Sequence, residues 1–216
     1  MPAQLAIFDI DGTLVPGPSS EVRFARYLWR QRVFGPRQVL AYAGFCLRYG
    51  WCYRSHVMKK NKAYLTGLDV PRVQQLARAF VCNDLIHELY GPARKRLQAH
   101  KAAGDTVVLL SGTPQFLAAA LARELGIADA YGALCCTRAG KFCAAPPLRH
   151  PYGASKVDGA RALAAATGFC LTKAVAYGDS VHDAHLFRLV GEAVAVQPDR
   201  GLHAVATGEG WEVLPD

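Results

Sequence analysis

Carboxylates are nearly missing from residues 20–82, which hold only Glu21 and Asp69 against twelve lysines and arginines. That stretch carries a net charge of +10, while the whole chain carries +8. The remaining residues hold 13 basic and 15 acidic side chains, so the two portions differ in kind, with boundaries near residues 16 and 83. Cysteine pairs are lacking too: none of the seven cysteines is spaced as CxxC, and an odd number argues against a disulfide framework. Cys46, Cys52, Cys82 and Cys170 stand singly in apolar surroundings and read as buried free thiols. The turn-like Arg138, Ala139, Gly140 and Lys141 would set Cys136 opposite Cys143 across a hairpin, but zinc there would lack a fourth ligand. No uncharged apolar run approaches the roughly 18 residues of a membrane span, since residues 33–53 are broken by Arg37 and Arg48. The chain starts MPAQ and passes straight into an apolar strand, without the basic and apolar regions of a signal peptide. A reducing cytoplasm is the compartment these absences predict.

What is present suffices for a substantial core: 216 residues, 51% of them hydrophobic. Outside residues 16–82 the pattern alternates strand and helix. Strands are expected at 4–10, 106–110, 174–177 and 193–196, and helices at 84–103, 114–125, 154–167 and 182–190. Residues 131–143 read as a hairpin. Such alternation predicts an α/β fold built on a doubly wound parallel sheet, with core residues 1–15 and 83–216. Residues 16–82 show four helical stretches and no strand, which predicts an inserted α-helical bundle cap. Its aromatics Phe24, Tyr27, Trp29, Phe34, Tyr42, Phe45, Tyr49, Trp51 and Tyr53 are expected in the bundle core.

Polar residues gather at the expected carboxyl ends of the strands, where ligands bind in sheets of this type. The first strand ends in Asp9 and Asp11, followed by Gly12. The next ends in Ser111, Gly112 and Thr113, and the 174–177 strand in Gly178, Asp179 and Ser180, with Asp183 beyond. Lys156 opens the helix before that strand. Clustered carboxylates repel unless a cation sits among them, and hard oxygen ligands beside phosphate suit Mg²⁺. An ammonium, a hydroxyl and exposed N–H groups suit the anionic oxygens of a phosphoryl group.

In that order DIDGT, SGT, the isolated Lys156 and GDSVHD resemble the four motifs of the haloacid dehalogenase superfamily. The helical insertion after the first motif is similar to the phosphoserine-phosphatase-like subclass, subfamily IB, which also holds histidinol-phosphate phosphatases and some lipid-phosphate phosphatases. The resemblance implies that Asp9 is the nucleophile and forms an aspartyl-phosphate. It makes Asp11 the acid that protonates the leaving oxygen and then the base that activates water. It implies that Asp9, the backbone carbonyl of Asp11, Asp179 and Asp183 hold Mg²⁺. Ser111, Lys156 and the amides of Gly12 and Gly112 would hold the phosphoryl oxygens. Two features depart from the phosphoserine phosphatases themselves: His182 stands where those have Asn, and the loop after the first motif has its acidic residue, Glu21, only at its end.

The implied activity is therefore Mg²⁺-dependent hydrolysis of a small phosphorylated metabolite, such as histidinol phosphate or a phosphoserine-like compound. Asp11 argues against dehalogenation, because carbon–halogen cleavage leaves no oxygen to protonate. A phosphotransferase would share every catalytic residue. The basic cap can steer anionic substrates, dock on a membrane surface or simply be a solvated face. The sequence leaves these three open, and the mixture of apolar residues and arginines at 36–51 keeps a lipid-phosphate phosphatase as the alternative. A nucleic-acid partner is disfavoured, since no binding motif is present.

Overall fold

The computed structural model describes residues 3–214 of the chain. One six-stranded sheet, parallel throughout, forms the core. Its strands in chain order are β1 (Leu5–Phe8), β2 (Thr106–Pro114), β3 (Asp129–Ala133), β6 (Val175–Gly178), β7 (Glu192–Val196) and β8 (Glu212–Leu214), with β4 (Thr137–Arg138) and β5 (Lys141–Phe142) forming a separate hairpin. The spatial order is β3-β2-β1-β6-β7-β8, so the winding reverses between β1 and β6. A crevice opens at such a switch point, beyond the carboxyl ends of the two strands.

Both faces of the sheet are covered, which is why the strands read as unbroken apolar runs. Side chains alternate across the sheet with period two. Ala6, Phe8, Val107, Leu109, Val175 and Tyr177 pack on one side with α5 (Gly91–Ala102) and α6 (Gln115–Leu125). Leu5, Ile7, Val108, Leu110 and Ala176 pack on the other with α7 (Ala154–Thr167), α8 (Ala184–Phe187) and α9 (Arg200–Glu209). Three of these helices end as their glycines require: Gly126, Gly168 and Gly210 take left-handed conformations at the C-caps of α6, α7 and α9.

Between β1 and β2 the chain forms the helical cap: α1 (Ser20–Arg30), α2 (Pro36–Tyr53), the short α3 (Val57–Lys60) and α4 (Val70–Asn83). Helix α4 is shared with the core, because Val73, Ala77, Phe80 and Val81 belong to the same buried cluster as Leu117 and Leu121 of α6.

Several expectations are corrected. Residues 84–103 are not one helix but a 3₁₀ turn, Leu85–Glu88, and then α5. Pro92 must open a helix because it lacks an N–H, and the Tyr90 N–H is drawn to the Leu14 carbonyl at 2.9 Å. Residues 131–143 are not a single hairpin, since β3 leaves α6 and pairs parallel to β2 in the main sheet. Only β4 and β5 form the hairpin, where the Cys143 N–H donates to the Cys136 carbonyl at 3.0 Å. The expected 182–190 helix shortens to a 3₁₀ turn, Val181–Asp183, and the single turn α8. Cys52, Cys82 and Cys170 are exposed and Cys46 is half-buried, so the thiol buried in the core is Cys135. Phe24 and Phe45 are core residues as their spacing suggests, whereas Trp29 and Trp51 face solvent. The outermost two residues at each end, assigned above to the core, lie outside the described residues.

Candidate active site

The tight turn after β1 is where the sequence commits most. The N–H groups of Leu14 and Val15 both donate to the Ile10 carbonyl, at 2.9 and 2.8 Å, and the Gly12 N–H donates to the Val15 carbonyl at 2.8 Å. Gly12 has φ +86°, and a Cβ built on it would stand 2.0 Å from Asp179 Oδ2. Glycine is therefore required twice, for the backbone conformation and for the close approach of the Asp179 carboxylate. Gly178 makes the corresponding room at the end of β6, where a Cβ would lie 2.6 Å from Asp183 Cγ.

These approaches bring three carboxylates together. Oxygens of Asp9, Asp179 and Asp183 lie within 4.8 Å of one another, and Asp183 is buried. Lys156, at the start of α7 and itself buried, points its ammonium to Asp9 Oδ2 at 2.8 Å and Asp183 Oδ1 at 2.5 Å. Asp183 also accepts the Ser180 N–H at 3.1 Å. Three carboxylates and one ammonium leave a surplus of two negative charges, the charge and donor chemistry that fit a hard divalent cation.

Electrostatics follow from that surplus. Burial pushes the Asp9 carboxyl up to about 6, with Lys156 pulling it down and Asp183 adding to the rise. Burial, then repulsion from Asp9 and Asp183, takes Asp179 up to about 8. Lys156 is raised: burial works against its charge, but Asp183 and Asp9 outweigh it.

Asp11 takes no part in the carboxylate cluster. Its Oδ1 accepts the Ser20 N–H at 2.6 Å and its Oδ2 accepts the Thr113 hydroxyl at 2.8 Å. Those two bonds engage both carboxylate oxygens, and Asp11 stands outside the trio whose oxygens lie within 4.8 Å of one another. The Gly12 amide likewise departs from its expected role, since the turn consumes it on Val15. Ser111 interacts with Asp9 and lies 3.1 Å from the Thr113 hydroxyl, and Gly112 lines the cavity beside it. Period two places Ser111 and Thr113 on one face of β2, a signal that could have singled out Thr113 from the sequence.

The crevice opens into a cavity of about 730 Å³ between the strand ends and the cap. Asp9, Asp11 and Asp179 form its floor, while Val22, Ala25, Trp29, Phe34, Tyr42 and Met58 give it an apolar wall. Lys62 lines it too, buried and paired with Glu21 of α1. Burial raises the Glu21 carboxyl despite Lys62. In sequence Lys62 looks like one more solvated lysine, and only the tertiary fold buries it. At the far lip Lys59 donates to the Tyr152 hydroxyl and lies over that ring, and His182 packs 4.7 Å from Tyr152. His182 is thus half-buried. His150 is held down to about 3 by burial and by the neighbouring Lys62, Lys60 and Lys59.

A parallel α/β core with a helical cap, and an aspartate trio around a buried lysine at the switch point, define a phosphoric monoester hydrolase. Residues 6–188 match the model of the haloacid dehalogenase-like hydrolases, and the chain belongs to that family. A phosphoserine phosphatase of Mycobacterium tuberculosis is 32% identical over 214 residues, covering 96% of this chain and 69% of that one. A histidinol-phosphatase of Neisseria meningitidis is 27% identical over 226 residues, covering 97% of each. A Bordetella pertussis protein of unknown function superposes with a TM-score of 0.80 at 23% identity, covering 100% of this chain and 99% of that one.

Proposed function

We propose that the chain is a Mg²⁺-dependent phosphatase for a small phosphorylated metabolite whose leaving group carries a ring, with histidinol phosphate ranked above phosphoserine. The observation that carries this reading is the continuity of the Asp9–Asp11 turn with a cavity walled by Trp29, Phe34, Tyr42 and Met58. Such a wall offers a ring apolar contact that a serine side chain could not use. The histidinol-phosphatase of N. meningitidis, alike over nearly the whole length of both chains, supports the same ranking.

In this reading Asp9 attacks phosphorus, and the bond to the leaving oxygen breaks as Asp11 delivers its proton. Asp11, held by Ser20 and Thr113, then takes a proton from the water that attacks the aspartyl-phosphate, releasing phosphate and restoring Asp9. Lys156 holds Asp9 in place and offers positive charge to the phosphoryl oxygens, joined by the Ser111 hydroxyl. Asp9, Asp179, Asp183 and the Asp11 carbonyl would hold Mg²⁺, which supplies charge neutralisation for the transferring phosphoryl group. Residues 16–82 act as the cap that closes over substrate and excludes water.

Phosphate release from histidinol phosphate, phosphoserine and lysophosphatidate, with Mg²⁺ and with EDTA, tests the reading. Histidinol phosphate should lead, EDTA should stop turnover, and Asp9→Asn should abolish it without loss of fold. Near-normal hydrolysis by folded Asp9→Asn would remove the mechanism, and a clear preference for phosphoserine would remove the ring-bearing substrate. Lysophosphatidate in first place would favour the lipid-phosphate alternative.

A further inference from the structure

Helix α2 has an inward face and, opposite it, an exposed apolar stripe. Gln38, Tyr42, Phe45 and Tyr49 recur at intervals of four, three and four residues and face inward, with Gln38 and Phe45 buried. Leu40, Gly44, Leu47 and Trp51 repeat the same intervals two residues later, which at 100° per residue places them on the opposite side. That side meets solvent: Leu40 is 72% exposed, and Leu47 and Trp51 are each 87% exposed. An ordinary amphipathic helix carries polar residues there. Nothing in the fold is gained by leaving a tryptophan and two leucines of one stripe in water, and such a patch marks an interaction surface.

Charge identifies the partner. Between Glu21 and Asp69 the chain carries ten lysines and arginines and no carboxylate. Arg48 lies at the edge of the stripe and Arg54 follows the helix, both exposed. A second copy of the chain would set these cations against their own kind. One tryptophan and two leucines also fall short of the roughly 800 Å² per partner of a stable protein interface. An anionic lipid surface satisfies both features. Leucine side chains enter the acyl boundary, tryptophan prefers the headgroup level, and arginines reach lipid phosphates while their stems stay apolar.

We propose that α2 is a peripheral docking helix that lies in the plane of an anionic bilayer, seated by Leu40, Leu47 and Trp51. Among the described residues no helix is long and apolar enough to cross a membrane, so the contact is to one surface. The proposal concerns where the protein sits and holds whichever phosphate ester it cleaves.

Vesicle flotation tests it, comparing phosphatidylcholine alone with phosphatidylcholine containing phosphatidylglycerol. The parent should float with the anionic vesicles, less so as salt rises, and not with the neutral ones. Leu47→Glu combined with Trp51→Glu should weaken partitioning at least about tenfold while hydrolysis of a small soluble phosphate ester stays at the parent level. Should that pair unfold the protein, the milder Leu40→Gln with Leu47→Gln is expected to weaken binding in the same direction. Failure of the parent to float with anionic vesicles overturns the proposal, as does equal binding by a folded variant. A dimer that Trp51→Glu dissolves, with no vesicle binding by the parent, overturns it as well and assigns the stripe to a second copy.

Discussion

The Thr113 hydroxyl donates to Asp11 Oδ2 at 2.8 Å, joining the strand after the cap to the turn before it. Asp11 Oδ1 is fixed by the Ser20 N–H at the start of α1, so the carboxylate is aimed from both sides of the cavity floor. Ser20 and Thr113 are both buried. The group assigned to proton transfer is thereby held by the cap's first helix and by the core together.

Replacing Thr113 by valine keeps the shape and removes that donor. A hydrogen bond to a charged group contributes about 1.5–3 kcal/mol, and one such bond remains. Thr113→Val is expected to lower kcat on the order of tenfold with KM little changed, because the substrate-binding wall is untouched. Steady-state kinetics on the best ester decide it. A rise in KM at constant kcat would mean that Thr113 serves binding rather than orientation.

Among the described residues, Lys156 is the single ammonium in the group of three carboxylates. Removing one partner of a buried ion pair typically costs about 3–5 kcal/mol, since the other charge stays buried and unpaired. Lys156→Met should therefore lose stability in metal-free buffer near neutral pH, and lose less in acid, where Asp9 takes up a proton. Turnover should fall on the order of 10²–10³-fold through loss of charge stabilisation. Denaturant melts at two pH values check the first claim. An equal loss at both would show that packing, not charge, is what Lys156 supplies.

Stability of the metal-free protein should fall with rising pH. Its folded state keeps protons on Asp9 and Asp179, with carboxyls at about 6 and about 8, which the unfolded chain, with Asp near 3.8, has released. The contribution is full below the unfolded value and is lost as pH climbs through the two folded ones. His150, pressed from 6.5 to about 3, acts oppositely and only below 6.5. Melting temperatures between about pH 7 and about 8.5 lie above the values of Asp9 and the unfolded histidine and so read mainly Asp179. Saturating Mg²⁺ should flatten the decline, because a bound cation favours the ionised forms. Parallel slopes with and without Mg²⁺ would place the cation elsewhere.

Motifs and alternation carried most of the way to the site. Asp9, Ser111, Lys156, Asp179 and Asp183 belong to four separate segments, yet strand ends of one parallel sheet must share a rim, so their convergence followed from pattern alone. Local rules failed where distant groups competed. Pro92 and the Tyr90–Leu14 hydrogen bond split a helix whose periodicity ran unbroken. Residues 129–133 joined β2 instead of folding back locally, because pairing across the crossover buries Ala133 and a local hairpin does not reveal that option.

Sequence by itself determined the class of fold, the paired carboxylates at the end of the first strand and the cationic character of the cap, since strand–helix alternation, short motifs and charge are local properties. Tertiary structure decided which side chains are buried and what they face. Lys62 and Lys59 belong to one short basic run, yet the first is buried against Glu21 and the second lies over the Tyr152 ring. Trp51 and Phe45 occupy one helix, yet one meets solvent and the other the core. Burial and pairing depend on which surfaces the chain brings together over long separations, and no window of neighbouring residues contains that information.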